Sequence, residues 1–252
     1  MKNNKESLAR QLESLGLEDL ASDLGVVIER ALDRFLTSDA SMLEMKERVK
    51  KLSKGDINIL IVGESGVGKE LIARGIHETS GAKGRFVGVN CAGIPNELLE
   101  SEFFGSKKGA YTGSWADRKG LISEAHEGTL FLDEIGDMPL LLQCKLLRAI
   151  EDKTYRRLGD TEDLPITCRF VSATNKSLDD LGIRRDLFYR LAGSIVEIIP
   201  LRRRRQDVEL ILAKNNLDTS SWDNPFAWSL EEWPGNVREL LNRIKEYKLL
   251  NS

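Results

Sequence analysis

The sequence predicts an α/β fold built on a mainly parallel five-stranded sheet, with a small helical unit after it and a short helical segment before it. Three observations carry this. Five apolar, β-rich stretches, at 57–62, 86–90, 129–132, 166–173 and 195–198, alternate with helical patterns, as parallel strands joined by crossover helices do. The first stretch runs into a glycine-punctuated turn, GESGVGKE at 63–70, and then into a helix. The third, TLFLDE at 129–134, ends in two adjacent carboxylates, Asp133 and Glu134.

Residues 1–36 come first, with Leu8, Leu12, Leu15, Val27, Ala31 and Leu32 recurring at helical spacing and breaks at Gly16 and Gly25. Two or three short amphipathic helices are expected. They either dock on the core or serve a regulatory or oligomerising contact, with a regulatory protein as the partner in that case. Residues 37–200 hold the strand–helix alternation and 201–252 turn helical, at 207–215 and 236–247.

At 63–70 the turn presents the next helix's free N–H groups and its dipole to an anion, and Lys69 adds a point charge. Asp133 is suited to hold a magnesium ion and Glu134 to polarise a water. The residue after Lys69 is Glu70, where phosphate-binding loops of this type usually carry Ser or Thr as a magnesium ligand. Taken alone, that leaves two readings open: an impaired metal site, or a subclass in which the acid is normal.

The stretch 100–120 holds four glycines, two of them bracketing Ala110, Tyr111 and Thr112, and reads as a long exposed loop of the kind that carries function. Pro139 opens a helix at 140–152, where its missing N–H costs nothing. Arg184 and Arg190 lie six apart, so they need not share a helix face. Four arginines at 202–205 suit either contact with nucleic acid or the entry to the helical unit.

Composition bounds the function. A length of 252 residues suits one α/β domain with a satellite, and the net charge of −3 is interspersed, pointing to neither DNA nor membrane. No stretch of 18 apolar residues and no charged start before an apolar run is present, so a cytoplasmic protein is expected. Cys91, Cys144 and Cys168 sit in apolar elements and read as reduced core thiols. With His77 and His126 as the only histidines, a zinc site is not expected.

Together these motifs resemble the AAA+ domain of bacterial sigma-54-dependent transcriptional activators, the bacterial enhancer-binding proteins. GAYTGS (Gly109, Ala110, Tyr111, Thr112, Gly113, Ser114) is similar to the family's GAFTGA loop, and the family's phosphate loop ends in GKE, so the resemblance makes Glu70 normal. FVGVNCAGIP places Asn90 where an asparagine couples nucleotide state to the catalytic glutamate. GTLFLDEIGDMP nearly repeats the family consensus around Asp133 and Glu134. RFVSATN carries Thr174 and Asn175 in the sensor I positions, IRRDLFYRL carries Arg184 and Arg190 as arginines acting on a neighbouring subunit, and WPGNVREL carries Arg238 as the sensor II arginine. The resemblance runs from about Phe35 to Tyr247.

It implies the strand order 5-1-4-3-2 and hydrolysis of ATP with Mg2+. Gly63, Glu64, Ser65, Gly66, Val67, Gly68, Lys69, Glu70, Thr174, Asn175 and Arg238 would hold the nucleotide, with the metal on Asp133. It also implies a ring, a hexamer by the family pattern, and the sigma-54 RNA polymerase holoenzyme as the partner remodelled by residues 109–114. The segment near 215–225 is shorter than the family pattern, which bears on assembly geometry. With no helix-turn-helix expected after residue 247 and no receiver domain before the core, the chain reads as a minimal form or an excised fragment. Two alternatives stay open: a truncated paralogue that modulates full-length activators in mixed rings, and an AAA+ remodeller of another client. The intact set Asp133, Glu134, Arg184 and Arg190 speaks against the first, and the GAYTGS loop against the second.

Overall fold

The computed structural model describes residues 30–111, 114–217, 228–229 and 231–250. The chain enters through α1 (Ala31–Arg34) and α2 (Ala40–Ser53); Asp39 caps the latter, accepting the Ser41 and Met42 amides at 3.0 and 3.2 Å. Then follow β1 (Ile59–Val62), α3 (Lys69–Ser80), β2 (Phe86–Asn90) and α4 (Asn96–Phe104). A short pair, β3 (Gly105–Ser106) and β4 (Arg118–Lys119), precedes α5 (Leu121–Glu124), β5 (Thr129–Asp133) and α6 (Leu140–Asp152). A second pair, β6 (Thr154–Tyr155) and β7 (Leu164–Pro165), leads to β8 (Arg169–Thr174), α7 (Arg185–Leu191) and β9 (Ser194–Glu197). Finally come α8 (Gln206–Lys214) and α9 (Asn236–Leu250).

The main sheet has the order β2-β5-β8-β1-β9, with every neighbouring pair parallel. Renumbered by its own strands this is the expected 5-1-4-3-2. Both faces are covered, which is why β1 reads as an unbroken apolar run rather than an alternation. Ile59, Ile61, Val171, Ala173 and Val196 meet Leu32, Val49, Ile72 and Ile76 from α1, α2 and α3 on one side. Leu60, Leu130, Leu132 and Phe170 meet Leu99, Phe103, Leu146 and Leu187 from α4, α6 and α7 on the other. Each such buried Val, Leu, Ile or Phe side chain is worth about 1.5–3 kcal/mol. A third cluster, Leu201, Val208, Ile211, Leu212, Trp233, Leu240 and Ile244, forms the core of the helical unit after the sheet.

Some expectations shift. The strand expected from residue 166 begins at Arg169, because Leu164 and Pro165 pair instead with β6 and the Ile166 amide closes that hairpin on the Lys153 carbonyl at 2.8 Å. Cys91 and Cys168 are buried as expected, their thiols pushed up to about 12 and about 11 by burial. Cys144 is only half-buried; its sulfur lies 3.4 Å from Arg184 Nη1, so it is not a core thiol. Of the helices expected over 1–36, residues 1–29 lie outside the described residues. Residues 30–35 do dock: the Ala31 amide donates to Glu78 Oε2 at 2.8 Å, and Leu32 packs against Gly75 of α3. The shortened stretch near 215–225 lies largely outside the described residues as well.

Candidate active site

The C-terminal ends of β1, β5 and β8 lie side by side, and the residues that leave them build one cleft. β1 hands over to the turn 63–68. Gly66 at φ +77° and Gly68 at φ +108° occupy left-handed backbone, and a Cβ on Gly66 would stand 2.2 Å from the Gly235 carbonyl oxygen. Only glycine lets the loop lie this close to the helical unit. Lys69, almost fully buried at the head of α3, donates from Nζ to the Gly63 and Glu64 carbonyls at 2.9 and 3.2 Å.

Asp133 ends β5, and its Oδ1 accepts the Glu134 amide at 3.0 Å. Glu134 turns the chain with φ +50° and ψ +49°, a left-handed conformation that costs a non-glycine residue about 1–3 kcal/mol. That turn aims its carboxylate across the cleft: Oε1 stands 3.8 Å from Lys69 Nζ, and Oε2 accepts the Asn175 amide at 3.3 Å. Thr174, fully buried at the end of β8, accepts the Gly63 amide on its carbonyl at 3.1 Å. The glycine turn, the acidic end of β5 and the segment 174–175 are thereby tied into one unit.

The helical unit closes the other side. Arg238 on α9 donates from Nη1 to Ser65 Oγ at 3.2 Å, and its amide reaches the Gly66 carbonyl at 3.3 Å. Asn236, fully buried, donates to Ser65 O at 3.0 Å and Glu64 Oε2 at 3.2 Å while accepting the Leu201 amide at 2.7 Å. Arg202 grips the Glu64 carboxylate with two bonds of 2.7 and 2.5 Å, and this guanidinium holds the Glu64 carboxyl below its ordinary value. The resulting cavity of about 370 Å³ is lined by Ser65–Leu71, Asp133, Glu134 and Arg238, with Phe35, Leu36, Ile211, Val237 and Leu241 at its apolar end.

Other expected site residues are not tied into this network. Asn90 lies beside Asp133 in the sheet register, but its Oδ1 caps a turn at the Ala92 amide, 2.9 Å away, and no hydrogen bond links it to Glu134. Glu70 borders the cavity with its carboxylate turned to Arg74, at 2.8 and 3.0 Å. Arg184 and Arg190 line no part of the cavity; they pair on the surface with Asp186 at 2.6 Å and Glu151 at 3.0 Å. The arginine run is not a free basic patch. Arg202 holds Glu64, Arg204 is buried against Asp207, and Arg205 faces Glu232 at 3.8 Å. Sequence reasoning missed Phe35, Arg204, Asp207 and Asn236; the i,i+3 spacing of Arg204 and Asp207 was the available signal for one pair.

The glycine-rich loop leaves the core through the β3–β4 pair. Gly109, at φ +82°, donates its amide to Ser114 O at 2.8 Å, and Ser114 Oγ donates to Lys107 O at 2.8 Å. The hydroxyl that sets Ser114 apart from the family alanine thus clips the loop's base. Ala110 packs on Gly159 of the β6–β7 hairpin, Tyr111 is half-buried and Trp115 is 84% exposed. Thr112 and Gly113 lie outside the described residues.

A parallel sheet with a glycine loop after its β1, an acidic strand end two places away and a helical unit over the cleft defines a P-loop NTPase fold. The model of the Sigma-54 interaction domain family matches residues 35–197, and the chain belongs to that family of sigma-54-dependent transcriptional activators. Regulatory protein AtoC of Escherichia coli K12 is 45% identical over 86% of this chain and 50% of its own length. HyfR of the same organism, a DNA-binding transcriptional activator, is 39% identical over 99% of the chain and 38% of its own length. The chain therefore spans about half or less of these curated relatives. NtrX of Brucella abortus, solved with ADP, superposes with a TM-score of 0.77 at 32% identity over 96% of this chain and 54% of that one. Its ATP complex gives 0.77 at 31%, over 96% and 57%. A RuvB variant of Thermotoga maritima, at 0.58 and 18% over 86% and 64%, shares the fold alone. No described helix is long and apolar enough to cross a membrane.

Proposed function

We propose that the chain binds and hydrolyses ATP in this cavity and uses the cycle to remodel the sigma-54 RNA polymerase holoenzyme in the bacterial cytoplasm. The observation that carries the reading is the convergence of Lys69 and Glu134 across one cleft, 3.8 Å apart, with the Asn175 amide on the second Glu134 oxygen. In this reading residues 37–200 are the ATPase core, 201–252 the lid and 1–36 a helical N-terminal segment. The Gly63–Lys69 loop cradles the phosphates, Glu134 takes the proton of the attacking water, and Asn175 senses the outer phosphate through its bond to Glu134. Arg238 contacts nucleotide from the lid.

Magnesium fits the donor set. Among the described residues no group of three or more His, Cys, Asp or Glu forms a protein cage, and Mg2+ commonly takes one or two carboxylates plus phosphates and waters. Asp133 would hold it, and its charge would offset that of the phosphates.

Arg184 and Arg190 stand outside the cavity of their own subunit, which favours a role at a neighbour's site and hence a ring, a hexamer by the family pattern. The loop Gly109–Ser114 then presents Tyr111 and Thr112 to sigma-54. The test compares ATP turnover with promoter opening for wild type and Thr112→Ala. Turnover should persist while binding to sigma-54 and opening are lost. Unchanged opening would sink the transcriptional assignment, and joint loss of both activities would indicate damage to folding or assembly.

A further inference from the structure

Under the apolar end of the cavity lies a buried ion pair with no part in the chemistry above. Arg204 is 1% exposed and Asp207 fully buried. Arg204 donates from Nε to Ile199 O, from Nη2 to Val67 O and from Nη1 to Asp207 Oδ2, each at 3.1 Å. Asp207 accepts the Ser38 amide at 2.7 Å, the Thr37 hydroxyl at 2.7 Å and the Ser38 hydroxyl at 3.3 Å. The guanidinium lies over the Phe35 ring, 5.1 Å from its centroid. The same ring supports the phosphate loop: a Cβ on Gly68 would meet two of its carbons at 3.2 Å. One pair therefore joins the entry segment 35–38, the phosphate loop, the exit of β9 and the first turn of α8.

Taking two charges out of water costs about what their attraction returns, so a pair of this kind adds little stability of its own. What it does fix is direction. A planar fork with three acceptors around it, and a carboxylate with its lone pairs taken by a second set of donors, admits one arrangement of the four segments. Phe35, Arg204 and Ile211 border the cavity, so that arrangement also shapes its apolar end. The phosphate end has other supports: Gly63 to Thr174, Asn236 to Ser65 and Arg238 to Gly66.

We propose that Arg204 and Asp207 are positioning residues for the nucleoside part of the ligand, holding Phe35 and the segment 35–38 in register with α8 so that the base-and-sugar end of the cavity is formed before the ligand enters. This rests on the reading that the cavity takes ATP. Preorganisation of this kind acts on affinity and leaves the chemical step alone.

The experiment titrates wild type, Arg204→Met, Asp207→Asn and the double variant Arg204→Met/Asp207→Leu with ATP, ADP and inorganic tripolyphosphate by calorimetry. Thermal melting checks the fold, and steady-state kinetics separates KM from kcat. Folded variants should lose about tenfold or more in affinity for ATP and ADP, the scale on which relaxing a preorganised site acts. Tripolyphosphate affinity should stay within about twofold, and KM for ATP should rise while kcat holds. The double variant removes both charges together, an exchange buried pairs often tolerate, and so carries the test if a single variant fails to fold. Equal losses for nucleotide and tripolyphosphate overturn the proposal, as does unchanged nucleotide affinity. A double variant that cannot fold also overturns it, because the pair would then serve the fold and not the ligand. Wild type that binds neither ATP nor ADP removes the reading of the cavity itself, and this proposal with it.

Discussion

The cavity beside β1 and the glycine-rich loop are both bounded by irregular backbone on the same sheet, yet they are held in opposite ways. Around the cavity each residue of the turn is gripped from at least two sides: Gly63 by Thr174 and Lys69, Ser65 by Asn236 and Arg238, Glu64 by Arg202 and Asn236. The loop at 107–117 hangs from a two-residue ladder, β3 on β4, and leans on a second hairpin through the Lys107 amide to Leu158 O at 2.9 Å and Lys107 to Asp160 at 3.8 Å. A surface gripped from many sides keeps its shape when one contact goes. A loop held by a narrow neck changes position when the neck does, which suits a part that must move with the state of a distant site.

The comparison breaks most visibly at the surface arginines. Arg184→Ala or Arg190→Ala should leave ATP affinity near wild type, since neither residue borders the cavity, while turnover falls by about 10³–10⁵, the scale of a trans-acting arginine. Turnover per subunit in the wild type should rise with protein concentration. A form shown by light scattering to be monomeric, yet hydrolysing ATP at full rate, would remove the trans role.

Within the cavity the two ends of the Lys69–Glu134 approach should separate. Glu134→Gln keeps the loop and its glycines, so calorimetry should find ATP bound and turnover lowered by about 10²–10⁴, the usual share of a general base. Lys69→Ala removes the cation that sits on the Gly63 and Glu64 carbonyls, and binding itself should go. Equal loss of affinity in both variants would contradict this division.

At the loop, Ser114→Ala tests how thin the neck is. It deletes the bond from Ser114 Oγ to Lys107 O, worth about 1 kcal/mol, and turns the loop toward the family pattern GAFTGA. Global stability should fall by no more than about 1 kcal/mol, and ATP turnover should hardly move. Proteolysis within 107–117 should quicken, and an unchanged cleavage rate would mean the clip does not hold the loop.

The cavity was more legible in the sequence than the contacts that shape it. Gly66, Gly68, Lys69, Asp133 and Glu134 announce themselves because strand, turn and helix are local in sequence and each residue type has one obvious task there. The central strands β1, β5 and β8 were nearly as plain, being runs buried on both faces, whereas the edge strands β2 and β9 are only partly buried. Contacts across 130 or more residues were not: Glu64 to Arg202 and Val67 to Arg204 pair positions whose partners no spacing rule connects. Asn90 was read through its family role, and the sequence did not announce its local one: at the end of β2 its Oδ1 accepts the Ala92 amide. The β6–β7 hairpin was hidden because its strands are two residues each, too short for alternation to register.

The smallest effect tests the far end of the sheet. His77 on α3 sits against Phe86, with Nδ1 2.9 Å from Thr129 Oγ1 at the start of β5, so it lies at the edge opposite the cavity. Burial, with the Arg74 charge second, pushes its pKa below the ordinary 6.5. The folded chain therefore refuses a proton that the unfolded chain accepts. The stability this leaves is full above pH 6.5 and is lost as pH falls from there toward the folded value. Wild type should melt at a lower temperature as pH drops through that window, and His77→Gln should flatten the dependence, since the amide cannot titrate. ATP affinity should follow neither curve, because the phosphate loop's supports lie at the other end of the strands. A shift in affinity that tracked the His77 titration would mean the cavity is less isolated than its dense bonding implies.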